Sequence, residues 1–253
     1  MVVRIKIFEK PELKNPIAVC GLPGSGYVGK LAVEHLAREL NAKKFAEVYC
    51  YAFPPQVTIR QNGSVDMIKN ELYYWKSKNG EYDLIIYTGD SQPVTPEAEY
   101  EVSDRVTELI RELGAKTLFT LAAFITGAFT ETPRVYGTAT DVDTLEELKR
   151  HGVQLMNEGN ITGMNGLLVG FAKMKDIKGV CLLGETSGYI VDPKAAQSVL
   201  EVFTKILGIK IDMSNLEKRA LETGEIVRTI REMQRRRTVK PKERGKEDLG
   251  YIS

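Results

Sequence analysis

The sequence has little of what builds metal and redox sites: two histidines and three cysteines in 253 positions. His35 and His151 lie 116 positions apart, each without a Cys or carboxylate partner at helical spacing, so no metal is expected. Cys20, Cys50 and Cys181 sit far apart in apolar, strand-like surroundings, where a reduced thiol packs as a small hydrophobe. Neither a disulfide framework nor a Cys–His nucleophile is indicated, and a reducing, cytoplasmic setting is the expectation. An excess of one charge is missing too. Lys+Arg 35 against Asp+Glu 34 leaves a formal net charge of +1, so the molecule as a whole has no field to hold nucleic acid or an anionic membrane. No run approaches the roughly 20 apolar residues of a spanning helix, and residues 1–10, with alternating charges, read as neither signal peptide nor membrane anchor. No internal repeat of solenoid length is present.

What is present is 43% hydrophobic content, enough for one substantial core in a chain near the upper size of a single domain. Short β-rich runs at 2–8, 17–20, 45–53, 84–87, 117–123, 134–139 and 180–183 alternate with helical patterns. That alternation predicts an α/β fold with a mainly parallel sheet flanked by helices. After Val28, the positions Leu31, Ala32, Leu36 and Leu40 recur at helical spacing, with Lys30, Glu34, Arg38 and Glu39 on the wet side. Thr95 caps a second helix, with Pro96 at its first position, Glu97 and Glu99 against the positive end of the dipole, and Gly114 as its stop. Asp192-Pro193 repeats the start signal for a helix through Val199, Leu200, Phe203 and Leu207, which Gly208 ends.

Two stretches break the pattern. Residues 56–75 alternate around Asn62-Gly63, a dipeptide in which both residues tolerate positive φ, and predict an antiparallel hairpin inserted into the parallel core. The aromatic end, Tyr73-Tyr74-Trp75, suits either the core or a subunit interface. After Asp212, Ser214 and Glu217 form a capping box, and Leu216, Ala220, Thr223, Val227 and Ile230 share one stripe of a long charged helix. This helix is expected to dock on the sheet or on a neighbouring subunit. The predicted organisation is therefore an α/β domain over 1–212, a C-terminal helix over 213–234 and a flexible basic tail over 235–253. In that tail seven basic residues face three acidic ones, and apolar groups are few before the last five positions.

The most suggestive chemistry is Gly24-Ser25-Gly26-Tyr27-Val28-Gly29-Lys30-Leu31, placed after an apolar strand and before a helix. Gly24, Gly26 and Gly29 match the spacing of the dinucleotide fingerprint, and the same stretch meets all but the final position of the phosphate-cradling P-loop, whose lysine would be Lys30. Each motif fails where its chemistry is most exacting. Leu31 has no oxygen for magnesium, and Glu47, at about the distance of a ribose-binding acid, lies on the wrong end of its strand. The loop is thus a weak phosphate candidate, with close helix–strand packing as the plainer explanation of its glycines. Asp90 and Glu185 follow apolar strands and would lie at the carboxyl edge of the sheet, where they are the best available acids. Capping of the following helices explains these polar loops as well, and no catalytic residue, cofactor or metal is assigned.

Two blocks carry a resemblance. One is Val19-Cys20-Gly21-Leu22-Pro23-Gly24-Ser25-Gly26-Tyr27-Val28-Gly29. The other is Ile161-Thr162-Gly163-Met164-Asn165-Gly166-Leu167-Leu168-Val169-Gly170, followed by Val180-Cys181-Leu182-Leu183-Gly184-Glu185-Thr186 and Asp192-Pro193-Lys194-Ala195-Ala196. In order and spacing over residues 17–207 they resemble the proteasome-assembly-chaperone superfamily, in its archaeal type. The resemblance implies a phosphorylase-like sheet used for binding proteins, an ATP-independent homo-oligomer (tetramer or pentamer), and proteasome α subunits as partners. It also implies a C-terminal partner motif of hydrophobic-Tyr-any. Here the chain ends Leu249-Gly250-Tyr251-Ile252-Ser253, with the tyrosine third from the end, so Leu249, Tyr251 and Ile252 are the candidate partner-binding residues in a displaced form. The rival reading is a nucleoside- or phosphate-binding enzyme of phosphorylase or hydrolase type, using the Gly24 to Lys30 loop and Asp90 or Glu185. Attachment to RNA through the basic tail is a weaker third, since charge alone argues poorly for it.

Overall fold

A computed structural model describes residues 3–78 and 80–238. Apolar runs bounded by turn residues become β1 (Val3–Ile7), β2 (Ile17–Cys20), β3 (Lys43–Cys50), β4 (Val57–Ile59), β5 (Val65–Met67), β6 (Asn70–Trp75), β7 (Leu84–Gly89), β8 (Thr117–Ile125), β9 (Val135–Ala139), β10 (Gln154–Leu155) and β11 (Lys178–Thr186). The helices are α1 (Val28–Glu39), α2 (Pro96–Glu112), α3 (Val142–Arg150), α4 (Met164–Met174), α5 (Pro193–Leu207) and α6 (Ser214–Thr238). A nine-stranded sheet runs in the order β1-β3-β6-β7-β2-β8-β11-β9-β10, and β4 with β5 makes a separate two-stranded sheet.

The large sheet is mixed, which corrects the expectation of a mainly parallel one. The pairs β7-β2, β2-β8, β8-β11 and β9-β10 are parallel, while β1-β3, β3-β6, β6-β7 and β9-β11 are antiparallel. The connections give the reason. Parallel neighbours need a crossover, usually a helix, and no helix lies between β3 and β7 or between β8 and β9. Those strands can only turn back on themselves.

Alternation of side chains across the pleat divides the core in two. On one face Ala18, Cys20, Phe45, Val48, Leu72, Ile85 and Tyr87 pack against Val102, Val106 and Ile110 of α2 and Leu168 of α4. On the other, Val19, Ile86, Leu121, Val180 and Leu182 meet Leu36 of α1 and Val199 and Phe203 of α5. Each of the Val, Leu, Ile and Phe side chains among these, fully buried, contributes about 1.5–3 kcal/mol. The central β7 is buried at every position, as strands covered on both faces are.

Local signals place the helix ends. Thr95 Oγ1 accepts from Ala98 N at 3.4 Å with Pro96 leading α2, Asp192 Oδ1 accepts from Ala195 N at 3.0 Å at the start of α5, and Gly208 closes α5 at φ +66°. The start of α6 departs from the expected capping box: Asp212 accepts from Ser214 N at 2.9 Å, and Ser214 is already helical. The hairpin turn departs as well. Gly63 is at φ +80° and its N–H meets Arg60 O at 2.9 Å, while Asn62 is not at positive φ; this is a three-residue loop closed by a glycine bulge rather than a two-residue turn. The strand that follows, β6, leaves the hairpin and joins the large sheet, so Tyr74 packs on one core and Tyr73 and Trp75 on the other. Helix α4 and the short β10 have no counterpart among the sequence expectations, and α3 ends at His151, which lies in a helical pattern.

Candidate functional site

The directions of β2, β3, β7, β8 and β11 agree, so the loops after them gather at one edge of the sheet, where open α/β proteins bind ligands. The glycine-rich loop lies there. Ser25, Gly26 and Tyr27 make a 3₁₀ turn, with Gly26 at φ +61° and Tyr27 also left-handed at φ +55°. Gly29 sits in the first turn of α1, where an added Cβ would stand 2.0 Å from Leu121 O; one on Gly21 would stand 2.3 Å from Gly29 O. These two glycines let α1 lie directly on β2 and β8. Gly24 is different, since the nearest atom to its Cβ position is Gln92 Nε2 at 4.0 Å. Lys30 Nζ donates to Gly89 O at 2.6 Å and pairs with Glu34 at 2.8 Å, while the side chain of Leu31 is buried in the core. The helix leads to β3, which β6 and β7 separate from β2, so the loop lacks the adjacent second strand of a dinucleotide site. Glu47 on that strand belongs to another cluster, accepting from Lys69 at 2.6 Å, Lys44 at 2.8 Å and Tyr49 at 2.9 Å.

The two candidate acids are tied to neighbouring strands. Asp90 N donates to Lys69 O at 2.9 Å and Lys69 N returns to Asp90 Oδ2 at 3.2 Å, which extends the β6–β7 ladder. Glu185 is buried and gripped by Arg134, Nε to Oε2 at 2.9 Å and Nη2 to Oε1 at 2.9 Å, with Arg134 N adding a third bond at 3.1 Å. The guanidinium holds its carboxyl below the usual range although burial works the other way. Gln92 braces the loops: Nε2 donates to Pro23 O at 2.6 Å and Oε1 accepts from Met164 N at 2.7 Å, the uncapped start of α4. Thr186 Oγ1 donates to Asp192 Oδ2 at 2.7 Å, and Asp192 N to Gly26 O at 2.8 Å. Arg134, Gln92 and Asp192 thus organise the edge. Asp192 carries the sequence signal of a helix cap and Gln92 follows an apolar strand to this edge, but nothing local marks the partners of Arg134 and Gln92, which lie 51 and 72 positions away.

Other surfaces are less self-contained. The register Val57↔Met67 and Ile59↔Val65 puts four apolar side chains on one side of the β4–β5 ribbon, each at least half exposed, while Thr58 and Asp66 occupy the other side. Helix α6 is anchored by buried Leu216 and, just before its start, by His35 Nε2, 2.6 Å from Asp212 O. The candidate partner residues Leu249, Tyr251 and Ile252 lie outside the described residues. Among the described residues no group of three or more His, Cys, Asp or Glu could hold a metal, and no helix is long and apolar enough to cross a membrane. All three cysteines are free and buried; burial pushes the Cys181 thiol up to about 12.

Comparison with known proteins gives a consistent result. The PAC2 family profile matches residues 18–231. The chain is 44% identical to Pyrococcus furiosus PbaB, an archaeal proteasome activator, whose crystal structure superposes with a TM-score of 0.85 over 90% of this chain and 98% of that one. It is 30% identical to Pyrococcus furiosus PbaA, an archaeal homolog of proteasome-assembly chaperone, with a TM-score of 0.75 over 92% and 94% of the two chains. A protein of Methanocaldococcus jannaschii, MJ1210, is 35% identical over 254 residues, 99% of this chain and 97% of its own.

Proposed function

This chain belongs to the PAC2 family, and from that premise we propose that it is a non-catalytic, ATP-independent binder of proteasome α subunits that acts as a homo-oligomeric assembly chaperone. The observation that carries the reading is likeness along nearly the whole chain to PbaA and PbaB. The geometry of the loop edge supports it, because Lys30, Glu185, Asp192 and Gln92 are each engaged by the protein itself. Homo-oligomerisation would bury the apolar side of the β4–β5 ribbon, since an isolated two-stranded ribbon is marginally stable in water. Contact with the ring is assigned to the tails beyond α6, with Leu249, Tyr251 and Ile252 entering pockets between α subunits. Several tails on one oligomer reach several pockets, and raised effective concentration compensates for weak single contacts.

A second reading shares that contact. The 44% identity to PbaB, a proteasome activator, favours engagement of the finished particle rather than of its precursors. One comparison separates the possibilities: full-length protein and a chain truncated after Arg237 are tested for capture of α-subunit rings, for the rate of particle assembly, and for peptide hydrolysis by assembled proteasome. Faster assembly marks the chaperone and faster hydrolysis the activator. Undiminished capture by the truncated chain would remove the tails from the mechanism, and no capture by the full chain would sink both readings.

A further inference from the structure

Strand β1 ends the large sheet on one side: it pairs with β3, and among the described residues no strand lies along its other edge. The register fixes what that edge offers. Phe8 N donates to Phe45 O at 2.8 Å, so Phe8, Lys6 and Arg4, at every second position, turn their N–H and C=O groups to β3. Those of Ile5 and Ile7 point away from the sheet. Side chains alternate as well. Ile5 packs on the core that α2 covers and Ile7, on the same side, is 48% exposed, whereas Arg4 and Lys6 stand exposed on the opposite face, across from Tyr49 and Glu47.

That face carries charge it does not balance. Lys44 and Lys69 share Glu47 and Glu71 between them. Among the described residues Arg4 and Lys6 have no carboxylate partner, and Lys6 Nζ rests 5.0 Å from the centre of the Phe8 ring. Beside the two cations is a cavity of about 320 Å³, walled by Tyr49, Tyr51 and, from the stem of the β4–β5 ribbon, Met67. The ribbon's tip pair, Ile59 and Val65, is not part of it.

We propose that the free edge of β1 receives an extended acidic segment of a partner protein, which joins the sheet as a tenth strand. Its main chain bonds to Ile5 and Ile7. Acidic side chains at alternate positions meet Arg4 and Lys6, and the apolar side chains between them lie along Ile5 and Ile7. A second copy of β1 does not fit. Two such strands related by a two-fold axis bring the same face together, cation against cation, and like charges directly opposite destabilise a strand pair. Charges on an edge strand guard it against this pairing, and the guard is selective, because the same two cations attract an acidic strand. Nucleic acid is less well matched: two cations make few phosphate contacts, and the edge presents main-chain groups at the spacing of another polypeptide strand.

The test uses the whole chain and a fluorescein-labelled peptide, Glu-Val-Glu-Ile-Glu-Val-Glu, followed by fluorescence anisotropy. The proposal predicts saturable binding, weakened at least tenfold when lysine replaces each glutamate of the peptide. N-methylation of one alternate set of peptide nitrogens should weaken binding at least tenfold and methylation of the other set should not, since a strand bonds through one edge at a time. Arg4→Glu with Lys6→Glu, both exposed positions, should reverse the preference toward the lysine peptide. No saturable binding of the acidic peptide up to about 1 mM, an unreversed preference, or equal effects of the two methylations overturns the proposal. Tighter binding of single-stranded oligothymidylate than of the peptide, lost in the double variant, also overturns it in favour of nucleic acid. No proteasome subunit enters the measurement, so its outcome is independent of the function proposed above.

Discussion

Gly29→Ala separates a packing glycine from a ligand-approach glycine. The new Cβ would stand 2.0 Å from Leu121 O, whereas real Cβ atoms essentially never come within 3.0 Å of another heavy atom, so α1 must retreat from β8 by about 1 Å. The obstacle is a strand carbonyl in the centre of the sheet and cannot rotate away as a side chain could. Overpacking of this kind costs about 1–3 kcal/mol, and a rigid backbone contact belongs at the upper end. Replacing glycine by alanine in a helix returns about 1 kcal/mol of propensity. The net loss is about 2 kcal/mol, which in a domain of this size lowers the melting temperature by about 4–8 °C. The internal control is Gly24→Ala. Gly24 is extended, at φ −164°, and the nearest atom to its Cβ position is 4.0 Å away, so its substitution should stay within about 0.5 kcal/mol. Calorimetry on the two variants and the parent decides. If Gly29→Ala melts with the parent, or if Gly24→Ala is equally damaging, the close-packing account of the loop is wrong.

Two further outcomes follow from other parts of the fold. Burial works to raise the Glu47 carboxyl, but hydrogen bonds from Lys44, Lys69 and Tyr49 outweigh it and hold the group at about 2 instead of 4.5. A depressed carboxyl adds stability that is complete above its unfolded value and is lost as pH falls from about 4.5 toward 2. At about 1.4 kcal/mol per pH unit, discounted because Lys44 is a third exposed, this amounts to roughly 1–2 kcal/mol. Glu47→Gln should remove that part of the acid dependence in urea unfolding from pH 6 to 2, and an unchanged slope would show that the cluster contributes nothing. On the ribbon, Ile59→Lys with Val65→Lys should lower the particle mass in light scattering while the secondary structure stays intact; an unchanged mass would place the subunit contact elsewhere.

Much of the architecture was legible because its signals are local. Pro96 behind Thr95, Pro193 behind Asp192 and the closing Gly208 each act within one helical turn, and the structure places α2 and α5 where those residues put them. Strand direction was not legible in the same way. It depends on whether a crossover helix intervenes; the 56–75 stretch reads as an antiparallel hairpin, but nothing local says that β6 leaves it to pair antiparallel with β3 and β7. Helix α4 was hidden by its own glycines: Gly166 is set against Ile161 O, 2.0 Å from where a Cβ would be, so a residue that weakens the helical pattern serves a close contact. The Arg134–Glu185 pair spans 51 positions, and only the β9–β11 pairing, antiparallel and unexpected, brings the two together.

Those same pairings bear on where this fold binds. In an open α/β protein the carboxyl edge is the usual ligand site because loop donors and acceptors there are left for a ligand. Here the donors have been turned inward: Lys30 to Gly89 O, Gln92 to Pro23 O, Thr186 to Asp192 and Arg134 to Glu185. A ligand at that edge would have to break bonds already made, and each buried group left without its partner would cost roughly 1–3 kcal/mol. Exposed apolar surface lies instead on the β4–β5 ribbon, where Val57, Ile59, Val65 and Met67 are each at least half exposed. Apolar surface of that kind is satisfied by other polypeptide rather than by a small polar substrate. A sheet whose carboxyl-edge side chains bind one another, beside an exposed apolar ribbon, is therefore better suited to holding protein chains than to turning over a metabolite.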